Sequence, residues 1–128
     1  MCTTLKKSKV TKFKYFTKSE FVCDGVNCFD KMNHDLLAKL DIARDICGFP
    51  FKITSSWRSQ EWNAKVGGKK SSSHLNGNAV DLACTNSTTR MYMIEALLTA
   101  GFTRIGVSNR FIHVDVDEEL PQNVMWTY

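Results

Sequence analysis

The chain lacks any apolar run long enough to span a bilayer, so no membrane insertion is expected. It also lacks the basic-then-apolar opening of a secretory signal, since Met1-Cys2-Thr3-Thr4-Leu5-Lys6 shows neither part. Synthesis in the cytoplasm is therefore the expectation, with any role outside the cell depending on release by other factors. There is no internal repeat and no low-complexity tract. The five cysteines (Cys2, Cys23, Cys28, Cys47, Cys84) are odd in number and dispersed, which argues for free thiols over a disulfide framework. Cys23 and Cys28 are close enough in sequence for a metal clip or a disulfide, but no second cysteine or histidine pair accompanies them. Gly67-Gly68 reads as a flexible turn, because no P-loop lysine pattern follows it. The basic residues lack interleaved stacking aromatics on a defined motif, so nucleic acid is not an expected partner.

What is present suits one soluble-type domain. The length of 128 residues is enough to bury a core without staples, and 43% hydrophobic with 23% charged residues is ordinary. The net charge of +4 mildly favours an anionic partner. Lys6-Lys7, Lys9, Lys12 and Lys14 gather much of it near the start. Residues 1–12 read as a polar arm and 13–128 as a single domain; a monomer is the default.

Local patterns give the elements. Phe13 to Phe21 is aromatic-rich and reads as an extended segment or turn, and Asp24-Gly25 marks a loop. Leu36, Leu37, Leu40, Ala43, Ile46 and Cys47 recur at three and four, predicting an amphipathic helix over 33–47. Asn33 is its N-cap, Gly48 its stop, and His34 a surface residue of its first turn. Phe51-Lys52-Ile53-Thr54 alternates as a strand. Ser59 caps a short helix to about Val66, and Gly67 to Ser73 forms a loop that delivers His74. Asn86-Ser87-Thr88 caps a helix from about Thr89 to Ala100, closed by Gly101, with Met91 and Met93 as packing residues. Arg104–Val107 and Phe111–Val116 form a hairpin around Ser108-Asn109-Arg110. Helices and strands that do not strictly alternate imply an α+β fold, an antiparallel sheet with helices packed against it.

The chemistry concentrates in Ser72-Ser73-His74-Leu75-Asn76-Gly77-Asn78-Ala79-Val80-Asp81 and in Phe111-Ile112-His113-Val114-Asp115. Read as a strand, the first segment places Gly77, Ala79 and Asp81 on one face, with room there for a metal and a substrate backbone. The second places Phe111, His113, Asp115 and Asp117 together, while Ile112, Val114 and Val116 face the core. Two neutral imidazoles and one carboxylate form a familiar catalytic zinc set with a fourth position open. Ser71 and Ser73 read as loop filler and Asp117 as a solvated carboxylate at a strand end.

Ser72-x-His74-x-x-Gly77-x-Ala79-x-Asp81 followed by His113-x-Asp115 resembles the zinc D-alanyl-D-alanine carboxypeptidase family, with its Hedgehog/DD-peptidase fold. Ser55-Ser56-Trp57-Arg58-Ser59, Asn63-x-x-Val66-Gly67-Gly68, Phe16-x-x-Ser19-Glu20-Phe21-x-Cys23 and Trp126-x-Tyr128 extend the likeness to its branch with a short, C-terminal-type catalytic domain. The resemblance implies one zinc per chain on His74, Asp81 and His113, and a peptidoglycan peptide as substrate. It implies a carboxypeptidase or endopeptidase of stem peptides or cross-links, such as a phage-type lysin or virion-associated enzyme. Arg58 is then a catalytic or substrate-binding residue, on a substrate carboxylate or the oxyanion, unless it only pairs with Glu61. Ser72 contacts substrate or orients a ligand. Several branches carry a Glu or Asp base three residues before the last zinc histidine, where this chain has Arg110. Asp115 is the carboxylate available, either as catalytic base or as a group that orients a ligand. The alternative to an enzyme is a zinc-containing cell-wall binding module without turnover.

Overall fold

A computed structural model describes residues 13–128; the arm expected over 1–12 lies outside them. The architecture is α+β, as the patterns imply. A small hairpin pairs β1 (Val22–Cys23) with β2 (Val26–Asn27). Its turn needs left-handed backbone at two consecutive residues, Asp24 (φ 48°) and Gly25 (φ 80°), which Asp-Gly tolerates well. The predicted loop is thus a tight two-residue connection.

Helix α1 (His34–Cys47) begins where Asn33 accepts hydrogen bonds from the backbone of Asp35 and Leu36, and ends at Gly48 with φ 86°. It buries Leu36, Leu37, Leu40 and Ala43; Ile46, expected on that face, is exposed. Strand β3 (Ile53–Ser55) and helix α2 (Gln60–Lys65), capped by Ser59, follow. Strand β4 spans Ala79–Ala83, helix α3 spans Ser87–Thr99, and β5 (Arg104–Val107), β6 (Phe111–Asp115) and β7 (Val124–Thr127) complete the chain. Helix α3 turns Met93, Ala96 and Leu97 inward, whereas Met91 is exposed. Only Met93 of the two methionines packs, because Met91 lies two residues away, on another helix face.

The main sheet has the order β3-β4-β6-β5-β7. Its first four strands pair antiparallel, as expected, but β7 pairs parallel to β5. Loop 116–123 carries the chain back past β5 instead of folding beside β6, so the sheet is mixed at that edge. Alternation divides this sheet into two faces. Val80, Leu82, Ile105, Ile112 and Val114 join the α1 and α3 side chains in one buried core. The other face carries the polar groups. Across it run Asp81, His113, Gly106 and Trp126, each opposite the next on β4, β6, β5 and β7.

Candidate metal centre

His74 sits in a 3-10 turn, Ser73–Asn76, that Ser72 caps by accepting from the His74 backbone N–H at 3.2 Å. Gly77 ends the turn at φ 72°. Gly77 is therefore not part of the strand, as alternation had it. A Cβ there would lie 2.0 Å from the Lys31 carbonyl oxygen, so the glycine serves backbone approach and not room for a metal.

The segment Ser55-Ser56-Trp57-Arg58 straps this turn in place. The Ser56 carbonyl accepts from His74 Nδ1 at 2.7 Å, Trp57 Nε1 donates to the Leu75 carbonyl at 3.0 Å, and the Arg58 amide donates to the His74 carbonyl at 3.0 Å. A carbonyl can only accept, so Nδ1 carries a proton, which leaves Nε2 as the ring nitrogen placed to serve as a ligand. That nitrogen faces Asp81 Oδ1 at 3.3 Å.

His113 is fixed in the opposite sense. Its Nε2 meets Asp115 Oδ2 at 2.7 Å, leaving Nδ1 to face the same Asp81 oxygen at 3.1 Å. Behind it, Arg104 Nε donates to Asp115 Oδ1 at 2.7 Å, and the Asp117 amide donates to that oxygen at 3.1 Å. Asp115 is buried on the far side of His113 from Asp81, with three of its roughly four acceptor positions filled.

His74, Asp81 and His113 are all buried, and one ligand atom from each lies within 4.8 Å of the others. This is the only such group among the described residues. One nitrogen of each imidazole converges on a single carboxylate oxygen, while the remote nitrogens are held by a carbonyl and a carboxylate. This arrangement fits a zinc ion: an N2O donor set, with both ring tautomers fixed from behind. Electrostatics agree. Burial opposes the charged form of Asp81, but hydrogen bonds and charge from His113 and His74 outweigh it and hold its carboxyl far below the usual range. Burial also works against His113⁺, yet Asp115 and Asp81 raise its pKa above the ordinary histidine value. Asp115 is burdened by burial too, and His113 and Arg104 bring its pKa below the usual carboxylate range. The site is built to hold a cation.

Arg58 touches this cluster. Its Nη2 lies 3.4 Å from Asp81 Oδ2, Nε donates to Ser55 Oγ at 3.0 Å, and Nη1 to Asn63 Oδ1 at 3.1 Å. It does not act as a simple surface partner of Glu61. Gly68 makes the clamp possible, since a Cβ there would lie 1.9 Å from Asn63 Oδ1 and 2.9 Å from Arg58 Nη1. Ser72 stays at the turn's base and lines a cleft of about 740 Å³ with Leu75, Asn78 and Val116. The three clustered residues do not line that cleft, so the chemistry follows the side-chain cluster.

Several contributors escaped the sequence reading. Ser73, taken as filler, is buried and donates to Asp117 at 2.7 Å, so neither is idle. Arg104 could have been noticed, since alternation puts a cation on the polar face of a strand beside Asp115. His34 is half-buried and outside the cluster: its ring packs at 5.8 Å from Phe13 and 5.3 Å from Phe29. Cys23, Cys28, Cys47 and Cys84 are free, as expected of the described cysteines.

A family model described as Peptidase M15 matches residues 14–115, about four-fifths of the chain. The chain belongs to the peptidase M15 family. M15 peptidases are zinc-dependent, and the buried cluster lies within the matched span. No curated protein matches the chain significantly. This M15 domain is a zinc metallopeptidase whose substrate is a peptide. No helix among its described residues is long and apolar enough to cross a membrane.

Proposed function

We propose that this M15 peptidase hydrolyses peptide bonds of peptidoglycan stem peptides or cross-links, as a D-Ala-D-Ala carboxypeptidase or an endopeptidase. The observation that carries the reading is the convergence of His74 Nε2 and His113 Nδ1 on Asp81. The frame Ser72-x-His74 to His113-x-Asp115, similar to that of D-alanyl-D-alanine carboxypeptidases, supports the wall peptide, and the net charge of +4 suits an anionic polymer. His74, Asp81 and His113 are the proposed ligands. Bound zinc supplies Lewis-acid chemistry, polarising a carbonyl and making water acidic near neutral pH.

The chain's own residues do the rest. Asp115 holds His113 in one tautomer, so of its two candidate roles we assign orientation and not base catalysis. Arg58, with two of its five N–H groups beyond the three contacts above, offers a donor to a substrate carboxylate or the developing oxyanion. Ser72 orients the His74 turn and borders the cleft where a peptide can lie. Action on the wall after release, as by a phage-type lysin acting as a monomer, completes the proposal.

The exposed Arg110, in place of the acidic base of several branches, favours one competing reading: a wall-binding module that keeps zinc without turnover. Mass spectrometry of fragments from purified peptidoglycan separates the two, with zinc-loaded protein and again after chelation. New peptide ends that vanish on chelation are expected. Their absence from several wall types, with zinc bound, would leave the module.

A further inference from the structure

Helix α2 and the loop that delivers His74 carry an inference that rests on the peptidase reading and deepens it: how the Arg58 guanidinium is aimed. A long, rotamer-rich side chain must be held before it can act on a developing charge.

Asn63, in α2, is polar yet only 3% exposed. The two ends of its side-chain amide have different partners. Nδ2 donates to the Lys69 carbonyl at 2.7 Å, and Oδ1 accepts from Arg58 Nη1 at 3.1 Å. A carbonyl can only accept and a guanidinium can only donate, so the amide cannot be reversed. An aspartate there would lack the donor, and a leucine would lack both groups. The main chain joins in, since the Asn63 carbonyl accepts from the Gly68 amide at 2.8 Å. Gly68 and Lys69 thus fold back over Asn63. A Cβ on Gly68 would lie 2.7 Å from Asn63 Cγ, so only a bare glycine lets the loop close there.

Arg58 is fixed elsewhere too. Its backbone amide is on the His74 carbonyl, Nε is on Ser55 Oγ, and Nη2 is beside Asp81 Oδ2. Both histidines face Oδ1 of that carboxylate, so Arg58 takes the oxygen they leave. Of its three side-chain partners, Asn63 is the one that also grips the loop leading to His74.

We infer that Asn63 is a positioning residue: it aims the Arg58 guanidinium at the negative charge of the peptide, carboxylate or oxyanion, and Gly68 permits it. A displacement of about 1 Å in such a group can cost about 10²-fold in rate.

The test uses zinc-loaded protein. Asn63→Ala should lower kcat/KM on the peptide that wild type cuts by about 10–100-fold, with zinc content unchanged. The loss should divide between kcat and KM as that of Arg58→Ala does. Added to Arg58→Ala, it should cost less than about twofold more, because its effect runs through the missing guanidinium. Gly68→Ala, which drives Oδ1 off Arg58, should lose activity with the same division. Nitrogen-15 relaxation of the Arg58 Nε–H group reads the aim without turnover: ordered in wild type, mobile in Asn63→Ala. An Arg58 group equally ordered in both proteins, or losses that multiply in the double variant, would overturn the inference. A wild type that releases no peptide ends fails the parent reading instead, and the relaxation measurement still decides the role of Asn63.

Discussion

Asp115 Oδ2 lies 2.7 Å from Nε2 of His113, the ring nitrogen that points away from Asp81. The carboxylate is therefore placed to hold an imidazole by its back, and Arg104 holds the carboxylate in turn at 2.7 Å. A general base must reach the proton that it removes. Asp115 is buried, and its known partners are His113, Arg104 and the Asp117 amide.

Asp115→Asn therefore acts on the metal first. Removing a group that orients a histidine ligand typically weakens metal binding by about 10–100-fold. Competition with a chromophoric chelator should show that loss, and excess zinc should restore activity. Unchanged zinc affinity with activity abolished at saturating zinc would return Asp115 to the role of base.

Gly106→Ala tests how the sheet builds the site from beneath. The new methyl group would lie 2.6 Å from Trp126 Nε1 and 2.7 Å from its Cε2, so the indole must move. Overpacking of this kind costs about 1–3 kcal/mol. Thermal melting should report the loss, and tryptophan emission should shift as the ring leaves His113. An unaltered spectrum and melting temperature would mean that the row tolerates a side chain there.

The metal-free protein should have a defined pH optimum of stability. His113 has a raised pKa, so its contribution is full below the ordinary histidine value of 6.5 and is lost as pH rises through the raised one. Asp81 and Asp115 are lowered, so theirs is full above the ordinary value of 3.8 and is lost as pH falls through the depressed ones. With chelator, the melting temperature should peak between about pH 4 and 6.5 and fall on either side. Added zinc displaces the His113 proton and should remove the decline on the alkaline side. A chelated sample that grows steadily more stable from pH 5 to 8 would contradict these directions.

The helices and the three clustered residues were legible because local rules govern them. Asn33 and Gly48 bound one helix by capping chemistry, and alternation through Ile112, His113 and Val114 sorts core from site without any knowledge of neighbours. What stayed hidden depends on contacts distant in sequence. Arg104 is the exception, since the hairpin and its alternation already set it on the same face as Asp115. Ser73 looks like filler until loop 116–123 brings Asp117 to it. Val124–Thr127 pairs parallel with β5, and no local pattern announces a crossover. Gly77 misled for another reason. Alternation counts positions, whereas its left-handed φ and the nearby Lys31 carbonyl decide its place.

The most direct test of the central claim is zinc content per chain after exhaustive dialysis, for wild type and for His74→Ala, Asp81→Ala and His113→Ala. The convergence of Nε2, Oδ1 and Nδ1 predicts one zinc in the wild-type chain and less than about a tenth of that in each variant. Circular dichroism would confirm that the variants keep the fold. Folded variants that retain full zinc, or a wild type that binds none, would contradict the account.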